Sequence, residues 1–530
     1  MLRKKLKFDL SKYNLIFDLA VTLIICISLY MAFNYSTYHT DPWHWGVITG
    51  TILDYINNFE LFKEIHIFYG PGQIIFLKLI NYFYTIDYFS IGIVTSIIYV
   101  VNLLLIYFIS KNISNKLNAF IVVLIFFALS NYAQAPWPDF YAGLCITISI
   151  LFLELSKSNK KFAILASFFF ILSITFRTTY LYTIMSAILG YLVFIKIFKI
   201  NLSTHIKYFF IHSFGFLTLY FILLFINGNF VLWLEQGILI TSSLIETKKF
   251  YDFDVSYIYV IAKFVYHFLL PKKLENFYFL MLFITCLCMF CYFIFKKKIN
   301  LEILEKNNIL FFLFLSISGL IQSIYQTDVF RNLMSSVSIF FIFVYFLNLI
   351  DIKKKVAIYL LILFCLIPIM PKNFYESKVN IFPTIGYVNF NDEIINDKKI
   401  FNYSSINFFG KHKFNQETLE YYKTMYSIIC KFDAIANYSI DRTLGYICDK
   451  NSLPSPSISI NREFIDSSLE KKFKNSNIEK NEIVISDFKY KNDNLVLLKE
   501  ITLPRYTRFT KSDLFRQSFD NRIFLYIGKN

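Results

Sequence analysis

Long apolar runs alternate with short basic segments over the first 370 residues of the chain. The first run, residues 14–33, is close to the roughly 20 residues that a helix needs to cross a bilayer, and it follows a basic segment, MLRKKLKFDLSK. A signal peptide begins similarly, but no small-residue cleavage site follows, so we predict an uncleaved first span. Ten more runs share this character: 89–110, 118–131, 141–155, 162–176, 181–198, 208–226, 277–295, 309–325, 329–350 and 356–370. The pattern predicts about eleven spans.

The positive charges between these runs indicate the orientation. With the N-terminus in the cytoplasm, the loops that contain Lys111, Lys157, Lys196, Lys296 and Lys353 all fall on the cytoplasmic side, as the positive-inside rule requires. The stretch 257–270 is then an interfacial helix, because one more span there would place Lys296 outside. The segment after the first span, residues 34–88, and the C-terminus are predicted to lie outside.

After Pro371 the pattern becomes polar and mixed. It predicts helices at 417–429 and 462–474 and strands at 444–448, 482–486, 495–498 and 523–527. A segment of this length can form its own core. The predicted fold class is an α-helical polytopic membrane protein, residues 1–371, with a C-terminal extracytoplasmic α/β domain, residues 372–530.

Composition and charge support this division. The chain has 530 residues, of which 56% are hydrophobic, and a mean hydropathy of +0.50, which is typical of membrane proteins. Of the net charge of +16, residues 372–530 carry +5, so most of the excess lies in short loops between spans and does not require nucleic acid. No Walker motif or glycine-rich dinucleotide fingerprint occurs, which argues against an ATP-driven transporter.

The cysteines follow the same division. Six of the eight lie in apolar runs, where a small soft hydrophobe is the ordinary interpretation, and only Cys430 and Cys448 lie outside them. An extracytoplasmic position would allow these two to form a disulfide, although their spacing does not decide it. No cysteine and histidine spacing typical of a metal site occurs.

Residues 34–88, the predicted first external loop, contain the leading candidate for catalysis. In DPWHWG, Asp41 is a potential proton acceptor between aromatic residues that favour the lipid headgroup level. The same aspartate before proline also suits the start of a helix, and both roles are compatible. His44 would orient a phosphate or sugar hydroxyl, or would be an interfacial amphipathic residue.

Further along the same loop, Glu64 is a candidate supporting group. The sequence YGPG, residues 69–72, predicts a tight turn, because proline fixes one dihedral angle while glycine frees its neighbours. We expect this turn to return the chain to the membrane and to position Tyr69.

Two cationic positions are predicted on the same side. Arg177, in ITFRTTYLY, lies at the junction of two spans, where its guanidinium suits a lipid phosphate or anchors the helix at the interface. In TDVFRNL, Asp328 and Arg331 share one helical face. They would form a local ion pair, or Arg331 would bind phosphate while Asp328 orients it.

These residues resemble the GT-C superfamily of polyprenyl-phosphate-dependent glycosyltransferases, in which an acidic residue follows the first span, as Asp41 does. His44, Gly46, Glu64 and the YGPG turn, followed by TDVFRNL, are similar to a bacterial group with a YGP-type turn and an SD-x-x-H motif; Arg331 stands where that group has histidine. The segment 432–456, FDAIANYSIDRTLGYICDKNSLPSP, resembles the soluble domain of that group. The resemblance spans nearly the whole chain.

The resemblance implies a sugar donor on a polyprenyl phosphate or pyrophosphate and an acceptor that is a glycan, lipid or protein. Asp41 would remove the proton of the acceptor hydroxyl while cationic groups stabilise the departing lipid phosphate, with inversion of the anomeric centre. Some members use a divalent metal, so whether this chain uses one stays open.

Three other classes compete. A polymerase or ligase of lipid-linked polysaccharide works at the same face, but such proteins typically place the soluble part in a mid-chain loop. A transporter or flippase would need ionisable residues along a path through the spans, which are nearly free of them. A sensor with an external ligand-binding domain is a fourth class.

Overall fold

The computed structural model describes residues 14–38, 44–65, 67, 69–130, 135–239, 266, 274–296, 300–323, 329–350, 355, 358–359, 402–414, 416–437, 439, 441–448, 482–486, 489, 495–504 and 522–528. Asp41 and Asp328 lie outside these residues. The structure describes only isolated residues of two predicted helices, the interfacial helix at 257–270 and the last span at 356–370. The predicted helix at 462–474 lies outside the described residues.

The first part of the chain is a bundle of apolar helices. In a bilayer every backbone polar group needs an internal partner, and a helix supplies one for nearly all of them. Among the described residues the first helices are α1 (Asn14–Tyr38), α2 (His44–Ile56), α3 (Pro71–Asn81), α4 (Tyr88–Ile113), α5 (Lys116–Leu129), α6 (Pro138–Leu155), α7 (Phe162–Phe176), α8 (Tyr180–Phe198) and α9 (Thr204–Ile226). The predicted first external loop thus contains two helices, α2 and α3.

A short α10 (Phe230–Trp233) continues directly into a π-helical segment, Leu234–Leu239. The second group of bundle helices follows: α11 (Leu274–Phe295), α12 (Leu301–Lys306), α13 (Ile309–Gly319), α14 (Val329–Ser335) and α15 (Ser338–Leu349). A 3₁₀ turn, Leu320–Ser323, extends α13.

Six of the described helices are long and apolar enough to cross a membrane, and α14 with α15 makes a seventh if the bent pair is one span. The chain is therefore a multi-pass membrane protein. Three further apolar helices coincide with predicted spans but have fewer than the 18 residues required of the six long helices: Lys116–Leu129, Phe162–Phe176 and Ile309–Gln322. The predicted count of about eleven stays a prediction.

The bend of 69° between α14 and α15 has a local cause. Sharp kinks form where side chains compete for backbone groups, and serines stand at this joint. The Ser335 hydroxyl donates to the carbonyls of Arg331 and Gly319, at 2.7 and 2.8 Å, and the Ser336 hydroxyl donates to the Ser316 carbonyl at 2.8 Å. A Cβ atom added at Gly319 would lie 2.4 Å from the Ser335 carbonyl oxygen, so glycine permits this close packing. These contacts fix the direction of α14, the short helix that contains Arg331.

The described part of the C-terminal region contains a small mixed sheet and one helix. Its described elements are β1 (Asn402–Tyr403), a 3₁₀ turn (Asn407–Phe409), β2 (Lys413–Phe414), α16 (Gln416–Ile429), β3 (Ala434–Asn437), a 3₁₀ turn (Arg442–Gly445), β4 (Glu482–Ser486), β5 (Leu495–Thr502) and β6 (Arg522–Gly528). The four-stranded sheet has the order β3-β4-β6-β5, with β3 parallel to β4 and the other pairs antiparallel. The expected mixture of helix and strand is present.

The structure differs from the sequence expectation at residues 444–448. A strand was predicted there, but Arg442–Gly445 is a 3₁₀ turn, and β3, which was not predicted, is the neighbouring strand. The reason is the side chain of Asp441, which accepts hydrogen bonds from the backbone N–H of Thr443, at 3.1 Å, and from its hydroxyl. Such side-chain bonds to nearby backbone groups favour turns over strands. Cys430 and Cys448 form a disulfide that joins the end of α16 to this turn.

Candidate functional site

The YGPG turn and the Arg177 junction, predicted as separate sites, lie directly against each other. The backbone N–H of Thr178 donates to the Tyr69 carbonyl at 2.6 Å. Gly70 has φ +155°, and a Cβ atom added there would lie 2.3 Å from the Thr175 carbonyl oxygen. Only glycine therefore fits between these two segments. Pro71 then starts α3, since proline suits the first position of a helix.

Arg177 is buried and paired with an acid that the sequence did not single out. Its Nη1 donates to Oδ2 of Asp139, which lies in the first turn of α6 and is fully buried. Its Nε donates to the Thr179 hydroxyl at 3.1 Å. A buried charge is costly unless it is paired and hydrogen-bonded, and these contacts fix the guanidinium in one orientation.

Arg331 reaches the same place from α14. Its guanidinium carbon lies 5.8 Å from the centre of the Trp137 ring, and the Arg177 guanidinium carbon lies 5.5 Å from the centre of the Tyr69 ring. The rings of Tyr69 and Trp137 meet edge to face at 5.6 Å. Cations are attracted to aromatic faces, so the two rings hold both guanidinium groups in one cluster. We call Tyr69, Trp137, Asp139, Arg177 and Arg331 the two-arginine site.

Several buried polar atoms of this cluster are unsatisfied. Within the described part of the chain, Nε of Arg331, Oδ1 of Asp139 and the hydroxyl of Tyr180, the first residue of α8, have no hydrogen-bond partner. Arg331 is 9% exposed and Asp139 is 0% exposed. Buried polar groups in native proteins are normally bonded, so unsatisfied donors and acceptors gathered at one place indicate a ligand or ordered water.

The phenol of Tyr69 keeps its proton at this site. Burial raises the pKa of Tyr69 to about 12, although the positive charges of Arg331 and Arg177 act in the opposite direction. At neutral pH the side chain is therefore a neutral hydroxyl that can donate to an anion.

The π-helical segment fastens both halves of the site and was not predicted from sequence. The side-chain amide of Gln236 accepts from the Ile67 N–H at 2.9 Å and donates to the Phe62 carbonyl at 2.8 Å. The Thr178 hydroxyl donates to the Gly237 carbonyl at 2.9 Å. Gln236 thus holds the loop that leads to Tyr69, while Gly237 holds the segment that follows Arg177. π-Helical turns are rare and often occur at functional sites.

The structure brings together three of the seven predicted site residues: Tyr69, Arg177 and Arg331. Glu64 is exposed, and its carboxylate accepts from the Glu60 N–H at 2.7 Å, a contact within its own turn. His44 is the first residue of α2. Asp41 and Asp328 lie outside the described residues. The predicted ion pair of Asp328 and Arg331 therefore stays a prediction.

Asp139 and Trp137 were missed, and the sequence contains only a weak signal for them. Both belong to the segment APWPDFY that precedes α6, and an acid just after proline at the first turn of a helix is an ordinary stabilising feature. A somewhat better signal is that proline and tryptophan occur together in APWPDFY, as they do in DPWHW, and that both segments lie at predicted span boundaries.

No group of three or more histidine, cysteine or acidic side chains that could hold a metal ion occurs among the described residues. Among the described residues, Asp139 supplies the carboxylate of the two-arginine site, and this carboxylate forms an ion pair with Arg177. The described residues therefore do not assemble a ligand set for a divalent metal, and the mechanism proposed below contains no step through one.

No protein-family model and no curated protein sequence matches the chain. A crystal structure of the oligosaccharyltransferase of Archaeoglobus fulgidus, tethered through a disulfide bond to an acceptor peptide containing the NVT sequon, matches with a TM-score of 0.50 and 12% sequence identity. The match covers 90% of this chain and 69% of that one. The fold is similar to that of an oligosaccharyltransferase.

A second crystal structure of the same archaeal enzyme, in complex with Zn and sulfate, matches with a TM-score of 0.48 and 12% identity over 88% of this chain and 68% of that one. At 12% identity the likeness concerns the fold.

Proposed function

We propose that this protein is a glycosyltransferase that moves a sugar from a polyprenyl phosphate or pyrophosphate carrier to a glycan, lipid or protein acceptor. The observation that carries the proposal is the two-arginine site: two buried guanidinium groups from different segments meet at the ends of apolar helices. The fold similarity to an oligosaccharyltransferase supports the same reaction class.

The charges of the site suit the phosphate of a lipid carrier. The charge of Arg177 is balanced by Asp139, whereas Arg331 has no acidic partner among the described residues. Guanidinium offers planar paired donors that match phosphate oxygens and never loses its charge. An anion bound by Arg331 would satisfy the buried Nε of this guanidinium.

The proposed reaction is a single displacement. Asp41 accepts the proton of the acceptor hydroxyl, the acceptor oxygen forms a bond to the anomeric carbon, and the bond from that carbon to the phosphate oxygen breaks. The electron pair of the broken bond stays on the departing lipid phosphate, whose charge Arg331 and Arg177 stabilise. Attack opposite the leaving group inverts the anomeric centre. His44, Glu64 and Asp328 are supporting candidates for binding the sugar and phosphate.

We place the reaction at the outer face of a bacterial cytoplasmic membrane, in the synthesis of the cell envelope, with the N-terminus in the cytoplasm. The disulfide between Cys430 and Cys448 supports an oxidising compartment for the C-terminal domain. The lysine-rich loops support the same orientation.

The test is transfer from radiolabelled polyprenyl-linked sugars by the purified protein in lipid vesicles. We expect the wild type to transfer sugar and Asp41→Asn to lose at least about a hundredfold in rate, since a well-placed general base contributes about 10²–10⁴. Glu302→Gln, at an exposed glutamate of α12, is the matched control and should retain wild-type transfer. Undiminished transfer by Asp41→Asn would remove Asp41 as the base. No transfer from any donor would overturn the proposed function.

A further inference from the structure

One face of α2 is shaped to receive the C-terminal domain. Gly46, Gly50 and Asp54 are spaced four residues apart and therefore lie on the same side of this helix. A Cβ atom added at Gly46 would lie 3.0 Å from Cβ of Arg442, and one added at Gly50 would lie 2.1 Å from the ring of Tyr446. The two glycines thus form a shallow recess in which the 3₁₀ turn and Tyr446 sit. We call Gly46, Gly50 and Asp54 the α2 recess.

A buried hydrogen bond closes the recess at its far end. The Tyr446 hydroxyl donates to Oδ2 of Asp54 at 2.9 Å, and Asp54 is only 2% exposed. The other carboxyl oxygen, Oδ1, is buried without a partner among the residues that the structure describes. A carboxyl group is expensive to bury in this way, and a merely apolar contact would not need one. The hydrogen bond to Asp54 therefore fixes Tyr446 in one position.

The recess is part of a larger contact surface. The ring of Tyr446 stacks on Phe408 at 6.1 Å, and Phe409 meets Tyr88, the first residue of α4, at 5.6 Å. His412 is fully buried, and its Nδ1 lies 2.9 Å from the Ser36 carbonyl of α1. The C-terminal domain thus contacts α1, α2 and α4 together.

The position of α2 matters for the proposed reaction because of what adjoins it in the chain. Its first residue follows the candidate base Asp41 by three positions, and the loop after its last residue leads to Tyr69. A shift of α2 would therefore move both.

We infer that Asp54 and Tyr446 are a positioning pair, through which the C-terminal domain sets the place of α2 for sugar transfer. The catalytic part of this inference rests on the proposed function, while the docking part does not. Neither side chain belongs to the two-arginine site, so their loss should affect the alignment of reacting groups more than the binding of the carrier.

The test compares Gly50→Ala with Gly215→Ala in the full-length protein in nanodiscs. An added Cβ meets the Tyr446 ring at Gly50, whereas no packing neighbour from the described residues lies within 4 Å of one added at Gly215 in α9. We expect Gly50→Ala to speed backbone hydrogen exchange in residues 44–56 and 441–447 and to lower kcat by about tenfold or more, with KM for the lipid-linked donor within about twofold. Gly215→Ala should match the wild type.

Substitutions at the pair itself separate positioning from a folding defect. Asp54→Asn keeps an oxygen that can accept from Tyr446 and should retain docking and kcat within about twofold. Asp54→Leu removes the acceptor and should behave like Gly50→Ala.

Unchanged exchange in Gly50→Ala and Asp54→Leu would overturn the docking pair whether or not the protein transfers sugar. Faster exchange with an unchanged kcat would overturn its positioning role. A wild type that transfers no sugar would refute the proposed function instead, and the exchange comparison would still decide the docking.

Discussion

The two ends of α6 carry buried polar side chains of opposite character. Near its N-terminus, Asp139 belongs to the two-arginine site, where several buried atoms lack a partner within the described chain. Near its C-terminus, roughly 22 Å away for fifteen residues of helix, the half-buried Glu154 belongs to a cluster whose acidic, histidine and amide side chains are hydrogen-bonded, while the Ser203 hydroxyl has no partner among the described residues. An unsatisfied charged group costs more stability than an unsatisfied hydroxyl, so the first end is the one that indicates a ligand.

The second cluster is a structural network. The Asn308 amide donates to Glu154 at 2.8 Å and accepts from His205 at 2.7 Å, and Glu305 accepts from the Tyr191 hydroxyl at 3.1 Å and the Ser203 N–H at 2.8 Å. We call these residues the Glu305 network. It joins α6, α8, α9 and α12 and supports no chemistry of its own. Buried charge alone therefore does not identify a site; the two-arginine site differs from this network in its unsatisfied charged groups, Nε of Arg331 and Oδ1 of Asp139.

The strongest test of this contrast is Arg331→Gln. We expect kcat/KM for the lipid-linked donor to fall about 10²–10³-fold, as when one preorganised donor to a developing anion is removed. Thermal stability should hold or rise, because the buried guanidinium has an unsatisfied Nε in the described structure. Vesicle transfer assays and thermal unfolding measure the two effects. Lys157→Gln, at the other end of α6, is the control. A variant that keeps more than about a third of kcat/KM would contradict the contrast.

The Glu305 network should respond in the opposite way. Glu305→Leu leaves the Tyr191 hydroxyl and the Ser203 N–H buried without an acceptor, and we expect a loss of about 2 kcal/mol in the free energy of unfolding. Transfer per folded molecule should not change. Glu302→Leu, at an exposed position of the same helix, is the control. A fall in kcat with unchanged stability would show that this end of α6 takes part in the reaction.

Gln236→Glu tests whether the π-helical segment positions the loop that leads to Tyr69. A carboxylate can still accept from the Ile67 N–H but cannot donate to the Phe62 carbonyl, so the loop that leads to Tyr69 loses one of two bonds. We expect kcat/KM to fall about tenfold, a loss of about 1.4 kcal/mol, with stability nearly unchanged. Glu235→Gln, at the exposed neighbouring position, should leave transfer unaffected. An unaffected Gln236→Glu would exclude the π-helical segment from positioning this loop.

The smallest expected effect is on pH dependence and belongs to the surface around the α2 recess. Burial lowers the pKa of His412 to about 4 and raises the pKa of Asp54 to about 7. The histidine contribution to docking is complete above about pH 6.5 and is lost as pH falls towards 4. The aspartate contribution is complete below about pH 4 and is lost as pH rises through 7. In the wild type the pH dependence of docking due to His412 therefore opposes the pH dependence due to Asp54.

Single substitutions should separate these slopes. Asp54→Asn should make docking more sensitive to acid, while His412→Gln should make docking weaken as pH rises, each by up to about 1.4 kcal/mol per pH unit. The buried carboxyl of Asp441, whose pKa burial raises to about 6, adds to the aspartate slope. Hydrogen exchange of residues 441–447 between pH 4.5 and 7.5 measures the change. Parallel pH profiles for the two variants would refute this assignment.

The parts of the fold that were predicted from sequence are those set by local pattern. The long apolar runs predicted α1, α4 to α9, α11, α13 and the bent pair α14 and α15, but not α2, α3, α10 or α12. Strand alternation predicted β4 and β6. The strand predicted at 444–448 was wrong because the side chain of Asp441 bonds the turn locally. Arg177 was a candidate because a charge at a span boundary is conspicuous, whereas Asp139 looks like an ordinary acid in a first helical turn. Its partner lies 38 residues away, beyond the reach of any local pattern.

Remote partners also explain why the α2 recess was not predicted. Gly46 and Gly50 are unremarkable in an apolar segment until Arg442 and Tyr446, nearly 400 residues later, are packed against them. Arg177 and Arg331, which were predicted as separate positions, lie in one cluster, and the acid beside them is Asp139, which was not predicted. The position of Asp41 stays a prediction.

The close contact at Gly70 has a consequence for biosynthesis. Tyr69 is held through its carbonyl by Thr178, a residue made 109 positions later. At about 5–20 residues per second, a ribosome needs roughly 5–20 seconds to synthesise that interval. During this time the Tyr69 carbonyl lacks its hydrogen bond from Thr178. The two-arginine site therefore forms only after α7 has packed against α3.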